Sequence, residues 1–151
     1  LISVPLSSMP VFFVARADHP LASRPSVSLA DIAHYPSLAL PEGAYPLVEA
    51  SLRALGLWND PVRMHRYQRE LWEARAEAEL TIGYATTLSM VVSGGDLVRL
   101  PLELPFRSGE AIVMRRDLAD QPERRALEHC LRQRLLRLAE AHPDLEVLAC
   151  P

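Results

Sequence analysis

The sequence predicts an α/β fold, and three observations carry that reading. Short apolar, β-branched or aromatic runs alternate with segments of helical length and spacing along most of the 151 residues. Pro and Gly fall mostly at the junctions between them. An apolar content of 49% with 23% charge is enough for one domain with a core and too little chain for two full ones. Strands separated by helix-length segments argue for right-handed crossovers and a largely parallel sheet. There is no internal repeat and no low-complexity segment.

The first strand is Val11 to Val14, extending to Arg16, broken by Asp18-His19-Pro20. Ser28 with Asp31 three residues on has the spacing of a capping box, ahead of apolar Leu29 and Ile32, so a short helix is expected near Leu29 to Ala33. Tyr35-Pro36 stops it and Ser37 to Leu40 reads as a strand. Leu47, Val48, Leu52 and Leu55 then repeat at helical spacing, Pro46 suits the first turn, and Gly56 stands where a left-handed C-cap belongs. Pro61 to Tyr67 reads as a strand, Arg69 to Ala78 as a helix and Leu80 to Tyr84 as a strand. A short helix from Thr87 to Val92 precedes Gly94-Gly95. Strands follow around Leu97 to Pro101 and over Ala111 to Met114. The last helix, opened by Asp120-Gln121-Pro122, puts Leu127, Cys130, Leu131, Leu135 and Leu138 on one stripe, with Arg124, Glu128 and Arg132 mostly off it.

These elements, in this order, resemble the effector-binding domain of LysR-type bacterial transcription regulators. The resemblance rests on a strand running into Asp18-His19-Pro20-Leu21-Ala22, on Leu29-Ala30-Asp31-Ile32, and on Val62 to Tyr67 before a helix. It continues through Thr81-Ile82-Gly83-Tyr84, which is similar to the family's Gly-Ile-Gly-Tyr turn, Gly95-Asp96-Leu97-Val98-Arg99-Leu100, and the return strand Ala111 to Arg116. Two departures stand out: the family's Ala-Gly-Leu-Gly segment is Ala78-Glu79-Leu80-Thr81 here, and the Pro that often ends the turn is Thr86. The resemblance implies a fold like the type II periplasmic binding proteins, two α/β lobes with an effector in the cleft. The chain would hold a remnant of the first lobe and the crossover strand in residues 1–15, the complete second lobe in 16–110, and the first lobe's return strand and closing helix in 111–151. It also implies a cytoplasmic regulator that pairs as a homodimer or higher oligomer and meets DNA only through an N-terminal helix-turn-helix absent from this sequence. The chain begins with Leu1 instead of Met, which fits a piece of a longer protein.

In open α/β sheets the ligand crevice forms beyond the carboxyl ends of the strands, where helix N-termini point backbone N–H groups at what is bound. Three turns qualify: Pro41 to Pro46, Tyr67-Gln68-Arg69 and Ala85-Thr86-Thr87. The candidate ligand-binding residues are therefore Glu42, Gly43, Ala44, Tyr45, Gln68, Tyr84, Thr86 and Thr87. Three helix N-termini favour a small polar effector, an anion above all; Glu42 or Glu79 would argue against an anion if either pointed inward.

Other chemistry finds little support. Five scattered histidines form no His-Glu-x-x-His, and there is no Gly-x-Ser-x-Gly, no phosphate-binding Gly-x-x-x-x-Gly-Lys and no Cys-x-x-Cys, so no enzyme, cofactor or metal centre is expected. Glu70, Glu73 and Glu77 read as a solvated helix face, and His19 as turn packing. Cys130 reads as a small core hydrophobe, and the arginines at 124, 125, 132, 134 and 137 as the wet face of the last helix. All sixteen cations are Arg, yet the formal net charge is −3, which offers no field for phosphate and predicts no sequence-specific DNA binding by this chain. Two cysteines fall short of a disulfide framework, and no apolar run is long enough to span a bilayer. The leucine stripe of the last helix and the N-terminal strand are expected to associate with a second copy. Two other readings are a periplasmic solute receptor, which an upstream signal sequence would favour, and a small α/β enzyme.

Overall fold

The computed structural model describes residues 1–39, 41, 43–57, 61–63, 74, 80–93 and 96–149. The chain forms two compact units, one of residues Leu1–Pro10 with Arg107–Pro151 and one of Val11–Phe106.

The second unit is built on the apolar half of a long strand. Strand β2 covers Ser7–Arg16, and Val11 to Ala15 are buried on both faces, as the continuous apolar run requires of a central strand. After a turn through His19, helix α1 (Leu29–Ile32) starts on the expected capping box: Ser28 Oγ accepts from Asp31 N at 3.2 Å and Asp31 Oδ2 accepts from Ser28 N at 2.9 Å. The Ser28 hydroxyl first, then its N–H and Arg24, hold the Asp31 carboxyl far below the usual range. Strand β3 (Leu38–Ala39), helix α2 (Pro46–Ala54) and strand β4 (Val62–Arg63) follow, with β3 and β4 parallel. Gly56, at φ +71°, ends α2 in the left-handed conformation that spares glycine the Cβ penalty. Strand β5 (Gly83–Thr86), helix α3 (Thr87–Ser93) and strand β6 (Leu97–Arg99) complete the unit.

The expected parallel sheet needs one correction. Strand β2 runs antiparallel to both β5 and β6, with Val14 opposite Gly83 on one side and Arg99 on the other. Because β5 and β6 both oppose β2, they are parallel to each other; a parallel bridge from Ser37 to Ile82 aligns β3 with β5. The order is thus β4, β3, β5, β2, β6, four strands in one direction and the crossover strand against them. Phe13, Ile82, Leu52, Leu57, Ile32 and Leu100 form the core beneath α2, joined at its margin by Val48, Leu55 and Tyr84. Of the helix expected over Arg69 to Ala78, Ala74 is described and is helical and exposed, while Met64 to Tyr67 lie outside the described residues. The strand expected over Leu80 to Tyr84 begins later, at Gly83, because Leu80 turns the backbone at φ +49°. Buried His19 serves that turn: its Nδ1 accepts from Leu21 N at 3.1 Å, which leaves the proton on Nε2 to donate to Leu80 O at 3.2 Å.

The first unit pairs β1 (Ile2–Pro5) antiparallel with β8 (Ala111–Met114). The amino half of β2 pairs with β7 (Arg107–Ser108) and β9 (Glu146–Val147). Helix α4 (Pro122–Ala141), about 30 Å long from its rise per residue, packs here, with Pro at its first turn as expected. Its inward face differs from the expected one. Glu128 and Leu135 are buried and Arg124, Arg132, Leu138 and Ala139 half-buried, whereas Leu127, Cys130 and Leu131 are exposed. Arg124 and Arg132 both donate to the Glu128 carboxylate, so charge is carried inward as an ion-paired cluster, and Leu127 and Leu131 are left outside. Cys130 is accordingly no core residue, and only Arg125, Arg134 and Arg137 of the five arginines are exposed.

Candidate ligand-binding site

The carboxyl ends of β3, β4 and β5 lie at one edge of the sheet of residues 11–106, since these strands are parallel. The chain leaves β3 through a turn with Gly43 at φ +78°, a conformation that favours glycine, and enters α2 at Tyr45. It leaves β5 at Thr86, which pairs with Val11, and enters α3 at once. Gly43, Ala44 and Tyr45 are exposed on this edge. Tyr45 is half-exposed and stands edge-on to Tyr84, ring centroids 6.4 Å apart at 89°. The structure therefore brings together the turn after β3 and the end of β5. Glu42 and Gln68, and with them Glu79, lie outside the described residues.

Thr86 and Thr87 have different parts. Thr86 caps α3: its N–H donates to Ser89 Oγ at 2.8 Å and its hydroxyl accepts from Ser89 N at 3.4 Å. Thr87 is 5% exposed and its hydroxyl has no hydrogen-bond partner.

Two residues join the site that sequence reading had not singled out. Glu49 lies one helical turn beyond Tyr45, whose carbonyl accepts from Glu49 N at 3.0 Å, and it is 5% exposed. Its Oε2 takes Arg63 of β4 at 3.4 Å and Arg53 at 3.8 Å, while Oε1 is buried without a partner. Spacing places position 49 beside the inward face but does not say that a charge there is buried. Val48, Leu52 and Leu55 define the inward face, position 49 adjoins that face, and Leu47, expected inside, is 82% exposed. Tyr84 lies within electrostatic reach of this pair. Burial first, and then the Glu49 charge, push its phenol up to about 12.

That shift predicts a pH limb. The folded chain keeps the Tyr84 proton where an unfolded chain, with a phenol near 10, has lost it, so stability should fall as pH rises from about 10 to about 12. Chemical denaturation of Tyr84→Phe across that window should show a shallower fall; identical slopes for the two proteins would contradict the burial of this phenol.

The described site thus offers two aromatic rings, a buried carboxylate held by arginine, and a buried hydroxyl. Among the described residues no group of three or more His, Cys, Asp or Glu could hold a metal ion. No helix among them is long and apolar enough to cross a membrane. The short α3 has its first turn occupied by the Thr86–Ser89 exchange, and α2 begins with Pro46, which has no N–H to offer.

A parallel-stranded α/β sheet with a crossover strand and polar groups collected at its carboxyl edge defines a small-molecule-binding domain. The sequence matches the family described as LysR substrate binding domain over residues 1–136, and the chain belongs to that family, the ligand-sensing part of LysR-type regulators. No curated protein matches the sequence closely enough to count as a relative. Solved structures agree in fold. The regulatory domain of MetR, a LysR family regulator from N. meningitidis, is 17% identical with a TM-score of 0.69, the match covering 98% of this chain and 71% of that one. The effector binding domain of a BenM variant is 17% identical with a TM-score of 0.71, covering 98% and 69%. The effector binding domain of QuiR in complex with shikimate is 15% identical with a TM-score of 0.67, covering 88% and 64%.

Proposed function

We propose that this chain senses a small polar effector at the carboxyl edge of the 11–106 sheet, where Tyr45, Tyr84 and Thr87 contact it. The observation that carries this reading is the Thr87 hydroxyl, buried without a partner at that edge. Such a group costs roughly 1–3 kcal/mol, which an acceptor on a bound ligand would offset. QuiR, of the same fold, is seen with shikimate, a small polar molecule. Residues 16–110 act as the second lobe of the effector domain and residues 1–15 and 111–151 as parts of the first, a division that the compact units support. Binding shifts the population of the regulator's arrangements, and DNA is met through an N-terminal helix-turn-helix outside this sequence. The protein works in the cytoplasm, and no catalytic step is assigned to it. A second copy pairs through the outward side chains of α4, among them Leu127 and Leu131.

The test is a thermal melt of the 151-residue chain against a panel of small carboxylates, amines and polyols, repeated with Thr87→Val. A true effector at a hundred times its Kd should stabilise the protein by about 2.7 kcal/mol. Thr87→Val should leave the unliganded stability equal or slightly raised, since it removes an unsatisfied hydroxyl, yet weaken binding about fivefold or more. No protection by any compound, or undiminished protection of the variant, would sink the reading.

A further inference from the structure

The open oxygen of Glu49 narrows the effector's chemistry. Resting on the crevice reading above, we infer that Glu49 is a specificity-determining residue whose Oε1 receives a hydrogen-bond donor of the effector, a protonated amine or a hydroxyl, passing between the Tyr45 and Tyr84 rings. Tyr45, Glu49 and Tyr84 are arranged by depth. Tyr45 is 50% exposed, Tyr84 is half-buried against it, and Glu49, one turn of α2 beyond Tyr45, is 5% exposed. Arg63 and Arg53 neutralise the carboxylate from its Oε2 side only. Oε1 is thereby left as a charged acceptor out of water with no donor of its own. A buried carboxylate oxygen is among the costliest groups to leave unpaired, and a charge-assisted donor is its strongest complement. The two phenol rings favour a cationic donor further, because an ammonium near an aromatic face is attracted to its quadrupole. A bare carboxylate has no donor to give Oε1, so the anion favoured by helix N-termini is displaced by a ligand that carries one.

Three probes built on one phenyl ring separate the possibilities: benzylammonium carries charge and donor, benzyltrimethylammonium charge alone, and benzoate the opposite charge. Titrated at millimolar concentration into the isotope-labelled chain, benzylammonium should shift the backbone amides of Tyr45, Glu49 and Tyr84. Glu49→Gln, which keeps an acceptor for Arg63, should weaken it about tenfold, the worth of one charge-assisted bond. Benzyltrimethylammonium should bind the wild type about fivefold or more weakly than benzylammonium. If Glu49→Gln does not fold, Glu49→Asp, which withdraws the carboxylate by one methylene, should weaken benzylammonium in the same direction. Unchanged benzylammonium affinity in the folded variant, or no shift at these residues, overturns the donor assignment. Benzoate bound as tightly, lost on Thr87→Val and indifferent to Glu49→Gln, overturns the donor assignment while leaving the crevice reading standing.

Discussion

Glu128→Ala should destabilise the chain by about 3 kcal/mol, the range for breaking a buried ion pair from one side. The Glu128 side chain is 7% exposed and accepts from Arg124 Nη1 and, at 2.9 Å, from Arg132 Nε. These guanidinium groups are tethered elsewhere as well: Arg124 Nε donates to Ala119 O at 2.9 Å, and Arg132 donates to Leu148 O and, at 3.1 Å, to Pro5 O. The cluster therefore ties α4 to β1 and to the segment after β9. Removing the carboxylate leaves two cations facing each other, only 22% and 14% exposed, with no counter-ion and a cavity between them. For a chain of this size the loss corresponds to a fall of roughly 10 °C in Tm. Replacing all three residues together by apolar ones of similar volume should cost much less, because no charge is then stranded. Thermal melts of both variants decide it, and a loss under about 1 kcal/mol in Glu128→Ala would mean that the arginines find water.

Gly109→Ala should cost as much or more, about 3 kcal/mol, by a different route. A Cβ built on Gly109 would lie 2.0 Å from Ser7 O and 3.0 Å from Ser7 C, both backbone atoms at the start of β2 that cannot swing aside. The close approach lets Leu6 N donate to Glu110 O at 2.8 Å and Glu110 N to Ser7 Oγ at 3.1 Å. Any shift that admits the methyl breaks both bonds and pulls on the β2–β7 ladder, where Met9 opposes Ser108. Urea denaturation should show a lower midpoint with little change in slope. A variant as stable as the parent would show that β7 and β2 do not approach so closely in solution. Gly56 is required for another reason. Nothing stands near its missing Cβ, and there the constraint is the left-handed backbone.

The elements that could be read correctly are those whose signals are local. Val11 to Val14 is apolar without interruption, and it became a strand buried on both faces. Ser28 and Asp31 sit three apart and cap α1 reciprocally; Pro46 and Pro122 begin their helices, and Gly56 ends α2. That the turn after β3 and the end of β5 share one edge was legible because alternating strands and helices imply a carboxyl edge. Glu49 and Arg63 were not, since a charged residue within an apolar helix face announces itself only when its partner on another strand is known.

Sequence by itself determined the α/β class, most element starts and stops, the absence of a catalytic motif and the resemblance to LysR effector domains. Caps, breakers and apolar runs act within a few residues and need no partner. Tertiary structure alone decided the direction of β2, the inward face of α4 and the depth of Glu49. The stripe of α4 was misread because Leu127, Leu131, Leu135 and Leu138 do share one side of the helix, but the side that faces inward is centred on Glu128 beside it, so that of these leucines Leu135 alone is fully buried. What turned the helix was an ionic cluster whose arginine reaches Pro5, 127 residues away in the chain. Burying a charge is favourable only when its partners are already in place, and those partners are assembled by the fold.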